Sequence, residues 1–79
     1  MADESTRPAE AAQRAADQLA LALEEVGFDV GRAFPGLRSG WDGSGAPGVH
    51  LGAVTCDVAS HLSAFLVSAV AAGITLPTR

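Results

Sequence analysis

The chain has no lysine and no tyrosine, a single cysteine, a single tryptophan, and no apolar run as long as a membrane span. Each absence removes a class of explanation. One cysteine, Cys56, cannot close an intrachain disulfide. Nine acidic residues stand against five arginines (Arg7, Arg14, Arg32, Arg38 and Arg79), for a net charge of −4. A chain so acidic lacks the basic footprint that nucleic-acid binding requires. It also lacks the basic face that draws a helix onto anionic lipid. The most apolar uncharged stretch, residues 62–77, is 16 residues long and includes Ser63, Ser68 and Thr75. A membrane span needs about 20 apolar residues, and extension backward meets His61 and Asp57. The first ten residues, MADESTRPAE, are the reverse of a signal peptide. We therefore expect a soluble, cytoplasmic protein that binds neither nucleic acid nor membrane.

What is present is one small domain's worth of sequence. Seventy-nine residues bury only roughly 60% of the unfolded surface. Domains of this size commonly add a disulfide, a metal or an oligomeric interface. With the disulfide excluded, self-association rises. We expect residues 1–6 to be a disordered N-terminus, 7–76 a single small domain and 77–79 a tail.

Ser5 or Thr6 can cap a first helix, and Pro8 is tolerated in its first turn. Residues 9–26 are strong helix formers. Their apolar stripe runs Ala12, Ala16, Leu19, Leu23, Val26, with Ala15 and Ala22 beside it. Glu10 and Arg14 form an i,i+4 pair on the outer face. Gly27 is placed to end the helix in the left-handed conformation, with Phe28 folding back on Leu23.

Residues 28–53 are glycine-rich. The run GWDGSGAPG, residues 40–48, reads as a loop tip, with Asp42-Gly43 as a hairpin-turn dipeptide. Short flanking segments, AFPGLRSG and VHLGAV, predict two weak strands. A structureless connection of that length is unusual, which favours the hairpin over an irregular link.

The run 54–77 predicts a final helix capped by Thr55, with Asp57 favourably placed in its first turn. Gly73 and Pro77 end it. Val58, Leu62, Phe65, Ala69 and Ala72 fall on one stripe, and Leu66, Val70 and Gly73 widen it beyond the usual core-facing arc. Ser60, Ala64, Ser68 and Ala72 repeat every four residues as a ridge of small side chains. Ile74 and Leu76 alternate around Thr75, so this tail is expected to pack extended against the domain. The fold expected is α+β, helix, weak β-hairpin, helix, with the two helices packed together. The alternative is an all-α helical hairpin with an irregular connection.

Three constellations bear on chemistry. His50, Cys56 and His61, with Asp57, are zinc-ligand types, and Cys56 lies near a helix N-terminus that lowers a thiol pKa. They show no C-x-x-C or H-x3-H unit. A small metal- or thiol-dependent protein is thus an alternative function. The glycine loop does not fit the phosphate-binding pattern, which also requires a lysine. Trp41-Asp42-Gly43, between two helices, resembles the Trp-x-Gly turn of the small helical-hairpin proteins exported by type VII secretion systems. That resemblance implies two long helices joined by a tight turn, and dimerisation. Both helices here are short for that family, and no tyrosine exists to supply its export signal.

The leading expectation is a non-enzymatic interaction or accessory protein without a cofactor. It forms a homo-oligomer or binds a protein partner through its last helix, with Ser60, Ala64, Leu66, Ser68 and Val70 at the interface. Leu62, Phe65 and Ala69, with Leu19 and Leu23, supply the remaining apolar contacts.

Overall fold

The computed structural model describes residues 6–77. The elements are α1 (Thr6–Val26), a one-turn α2 (Val30–Ala33), strands β1 (Arg38–Trp41) and β2 (Pro47–His50), and α3 (Cys56–Ala71). The architecture is α+β, as expected, and the antiparallel hairpin β1-β2 removes the all-α alternative. The single turn α2 was not expected. Of the disordered segment expected over 1–6, residues 1–5 lie outside the described residues, as does a cap at Ser5, whereas Thr6 is already helical. Residues 78 and 79 of the expected tail also lie outside them.

α1 ends as its sequence dictates. Gly27 takes a φ of +127°; its N–H donates to the Glu24 carbonyl at 3.1 Å and the Phe28 N–H to the Leu23 carbonyl at 3.0 Å. These two bonds make a Schellman cap, which reverses the chain sharply enough to bring Phe28 back beside the helix. Phe28 then meets the ring of Phe34 edge to face, with centroids 5.3 Å apart.

The core is small. Ala12, Ala16, Leu23 and Phe34 are its buried apolar residues among those described, with Ala9, Leu19 and Ala20 half-buried. The expected stripe holds at Ala12, Ala16, Leu19 and Leu23. It fails at Val26, which is 39% exposed, and at Ala15 and Ala22, which face solvent.

α1 packs across both strands of the hairpin. Its buried side chains are mostly methyl groups, which lets the sheet approach closely. Ser39 Oγ donates to Gln13 Oε1 at 2.9 Å, and Gln13 Nε2 donates to Asp17 Oδ1 at 3.0 Å. Ser39, Val49, Trp41 and Pro47 share this α1-facing side by the alternation of strand side chains. Arg38, His50, Gly40 and Gly48 share the other. The imidazole of His50 lies so close over Gly40 that a Cβ there would come within 2.5 Å of the ring.

The hairpin turn differs from the two-residue type that Asp42-Gly43 suggests. Gly45, not Gly43, has the positive φ, +88°. The Gly45 N–H donates to the Asp42 carbonyl at 3.0 Å, and the Asp42 N–H to the Ala46 carbonyl at 2.8 Å. This is a type I turn followed by a left-handed glycine, the usual three-residue loop. The Asp42 carboxylate fixes it, accepting from the Ser44 hydroxyl at 2.7 Å, the Ser44 N–H at 2.9 Å and the Ala46 N–H at 3.0 Å.

The expected packing of the two long helices against each other is not formed. No residue of α3 is buried, and α3 does not pack along α1. The reason lies in α1, whose one apolar stripe is taken up by the hairpin and Phe34. Past β2 the chain leaves this unit at Gly52 (φ +76°), where its backbone crosses that of Gly36 with no room for a side chain on either residue. Val54 and Thr55 then lead into α3.

Candidate functional site: the apolar face of the last helix

α3 is well made as an isolated element. Thr55, in extended conformation, caps it by accepting the Val58 N–H on its hydroxyl at 3.2 Å. Asp57 complements the helix dipole in the first turn. At the far end Gly73 (φ +85°) forms a second Schellman cap. Its N–H donates to Val70 and that of Ile74 to Ala69, both at 2.9 Å. The cap turns residues 74–76 back along the helix.

No residue of this well-capped helix is buried. Val58, Leu62 and Ala69 are half-buried. Phe65, Leu66, Val67 and Val70 are exposed, Leu66 at 53% and Val70 at 60%. His61 and Phe65 border a cleft of about 280 Å³ with Val26, Gly27 and Phe28. The tail does not pack against the domain as expected, since Ile74 is 66% and Leu76 87% exposed. Instead Ile74, Thr75 and Leu76 form one wall of an open groove of about 400 Å³, with Phe65, Leu66, Ala69 and Val70 forming the other.

The five expected interface residues are all at the surface of α3, but on two flanks. At 100° per residue, Leu66 lies about 160° and Val70 about 120° around the helix from the centre of the ridge of Ser60, Ala64 and Ser68. Leu66 and Val70 border the groove; the ridge residues do not. The participation of Ile74 and Leu76 was legible only as an alternation of two apolar residues past the helix stop.

The chemistry-bearing side chains stay apart. Among the described residues no three His, Cys, Asp or Glu side chains come together as a metal-binding group, so His50, Cys56 and His61 do not assemble as the alternative function requires. Cys56 is a free, exposed thiol. Among the described residues, the one clear electrostatic perturbation is at Asp42. Its carboxyl is held below the usual range by the Ser44 hydroxyl first, then by the backbone N–H groups of Ala46 and Ser44. This is turn architecture. Trp41 ends β1, paired with Pro47, and Asp42-Gly43 opens the hairpin turn. The Trp-x-Gly resemblance therefore fails structurally, because the motif does not join two helices.

Among the described residues no helix is long and apolar enough to cross a membrane. No protein-family model, curated protein or solved structure matches the chain.

Proposed function

We propose that the protein is a non-enzymatic interaction protein that docks, on a second copy or on a protein partner, through α3. The observation that carries this reading is a doubly capped helix with none of its residues buried and a row of large apolar side chains at the surface. Exposed apolar surface that is contiguous, rather than scattered, is the usual mark of a binding face. The separation of His50, Cys56 and His61 favours binding over catalysis as the role of this half of the chain. A cytoplasmic location, and no nucleic-acid or membrane partner, belong to the same proposal; the net charge of −4 supports the exclusion of nucleic acid.

Sedimentation velocity between 1 and 100 µM (concentrations on the scale of ordinary protein affinities), together with affinity capture using the full chain, tests it. A concentration-dependent shift in mass, or a captured protein lost when α3 carries Leu66→Asp, is expected. A stable monomer that captures nothing through α3 overturns the proposal, and cell fractionation checks the location.

A further inference from the structure

Building on the docking role of α3, we infer that its occupant is a second copy of this chain, seated in the groove between α3 and the residue 74–76 tail, and not on the small-residue ridge. The first argument is area. A compact chain of 8.0 kDa exposes about 4,500 Å², whereas this one exposes 6120 Å². The seven residues outside 6–77, allowed the full surface of unfolded chain, account for about 1,100 Å². Against about 4,100 Å² for a compact chain of the remaining length, an excess of about 900 Å² is left. A standard interface buries about 800 Å² on each partner. The radius of gyration, 14.8 Å against about 11.6 Å for a compact chain of this length, carries the same message.

Shape supplies the second argument. A two-fold contact must be self-complementary, each copy offering both the projection and the recess. Leu76, the most exposed large apolar residue among those described, projects from the rim of a groove lined by Phe65, Leu66, Ala69 and Val70. Placed antiparallel across a two-fold axis, each copy's Leu76 fills the other's groove.

Charge supplies the third. Two chains of net charge −4 repel, so they meet most readily where neither carries acid. The groove lining holds no ionisable side chain. Among the described residues, Glu10, Asp17, Glu24 and Glu25 lie on α1, Asp29 at the start of α2, Asp42 in the hairpin turn and Asp57 at the opposite end of α3. The ridge is worse placed, because Asp57 and His61 share its flank at 100° per residue.

The test uses the full chain and measures the dimer dissociation constant by sedimentation, with circular dichroism confirming that each variant remains folded. Leu76→Asp and Val70→Asp are each expected to weaken the dimer at least about 100-fold, because symmetry removes the contact twice. Ala64→Leu and Ser68→Leu on the ridge leave it within about threefold. A dimer broken by the ridge variants and indifferent to Leu76→Asp overturns the groove assignment while leaving the docking role of α3 intact. So does a monomeric wild type that binds another protein, or phosphatidylcholine vesicles, through α3. A monomer for which no α3 variant changes any binding overturns both.

Discussion

Four glycines separate two sources of strain that are usually confounded. Gly52 has a positive φ (+76°), and a Cβ on it would lie 2.7 Å from the Gly36 Cα and 3.0 Å from the Gly36 carbonyl carbon. Gly36 has an ordinary φ, yet its Cβ would meet the Gly52 Cα at 2.9 Å. Gly45 has a positive φ (+88°) with open space around it, and Gly43 has neither constraint. Each is replaced by alanine. Gly43→Ala should be neutral or stabilising by a few tenths of a kcal/mol, because it restricts only the unfolded chain. Gly45→Ala should cost about 1 kcal/mol, the penalty of a left-handed alanine. Gly36→Ala should cost about 1–3 kcal/mol, since the obstructing atoms are backbone and cannot rotate away. Gly52→Ala combines both, about 2–5 kcal/mol. A core with four buried apolar side chains among the described residues belongs to a domain whose whole margin is about 3–5 kcal/mol, so Gly52→Ala should be largely unfolded at 37 °C. For a chain this size 1 kcal/mol moves the Tm by about 6 °C, and melts at one fixed protein concentration separate the four variants. If Gly36→Ala melts with Gly43→Ala, or Gly52→Ala with Gly45→Ala, the close crossing of the two backbones is wrong.

Phe34, 7% exposed and stacked edge to face on Phe28, should cost about 3–5 kcal/mol when changed to alanine, and retention of a cooperative melt near the wild-type Tm would count against the core described. Thr55→Ala removes the cap on Val58 and should lower stability by about 0.5–2 kcal/mol, seen as faster amide exchange in the first turn of α3 while the hairpin amides are unchanged. Asp42 sets an acid limit on the hairpin. Its carboxyl titrates below the usual range because the charged form accepts the Ser44 and Ala46 bonds. Its contribution is therefore full above the ordinary carboxylate pKa of about 4 and is lost as pH falls through the lowered value. Amide shifts of Ser44 and Ala46 should follow that titration and become flat in Asp42→Asn; a midpoint at or above the ordinary value refutes the assignment.

Local chemistry explains which parts of the fold can be read without coordinates. Gly27 and Gly73 end their helices in Schellman caps, and Thr55 starts α3, because caps depend on residues adjacent in sequence. The stripe from Ala12 to Leu23 is legible because a helix with one apolar side has one way to bury it. The turn was legible as a turn and not as a type. Asp42-Gly43 carries the familiar signal, yet the Asp42 carboxylate binds Ser44 and Ala46 and so shifts the left-handed residue to Gly45. A competition among hydrogen bonds over five residues is not visible in a dipeptide.

The last helix is where sequence periodicity fails, and the failure has a physical cause. Periodicity locates the side of a helix that faces its own core, but α3 is apolar on several sides and none of its residues is buried. The expectation of α3 against α1 assumed that an apolar stripe finds its partner within the chain. α1 has one stripe, and Ser39, Val49 and Phe34 reach it first because the Schellman cap at Gly27 and the turn at Asp42 return the chain to it within a few residues. α3, arriving last after the Gly36 and Gly52 crossing, finds that stripe already covered, and the apolar residues α1 leaves exposed, Leu21 and Val26, do not make a second one. Under the docking role proposed above, the apolar composition of α3 belongs to a contact with a surface outside the chain. For such a surface, Leu66 and Val70 differ from Ala64 and Ser68 in the only respect that matters, since the first pair adjoins the wall formed by Ile74 and Leu76 and the second adjoins Asp57 and His61. The spacing of residues within α3 treats both flanks alike. The turn at Gly73 breaks that equivalence, because it lays two further apolar side chains against one flank and leaves the other bare.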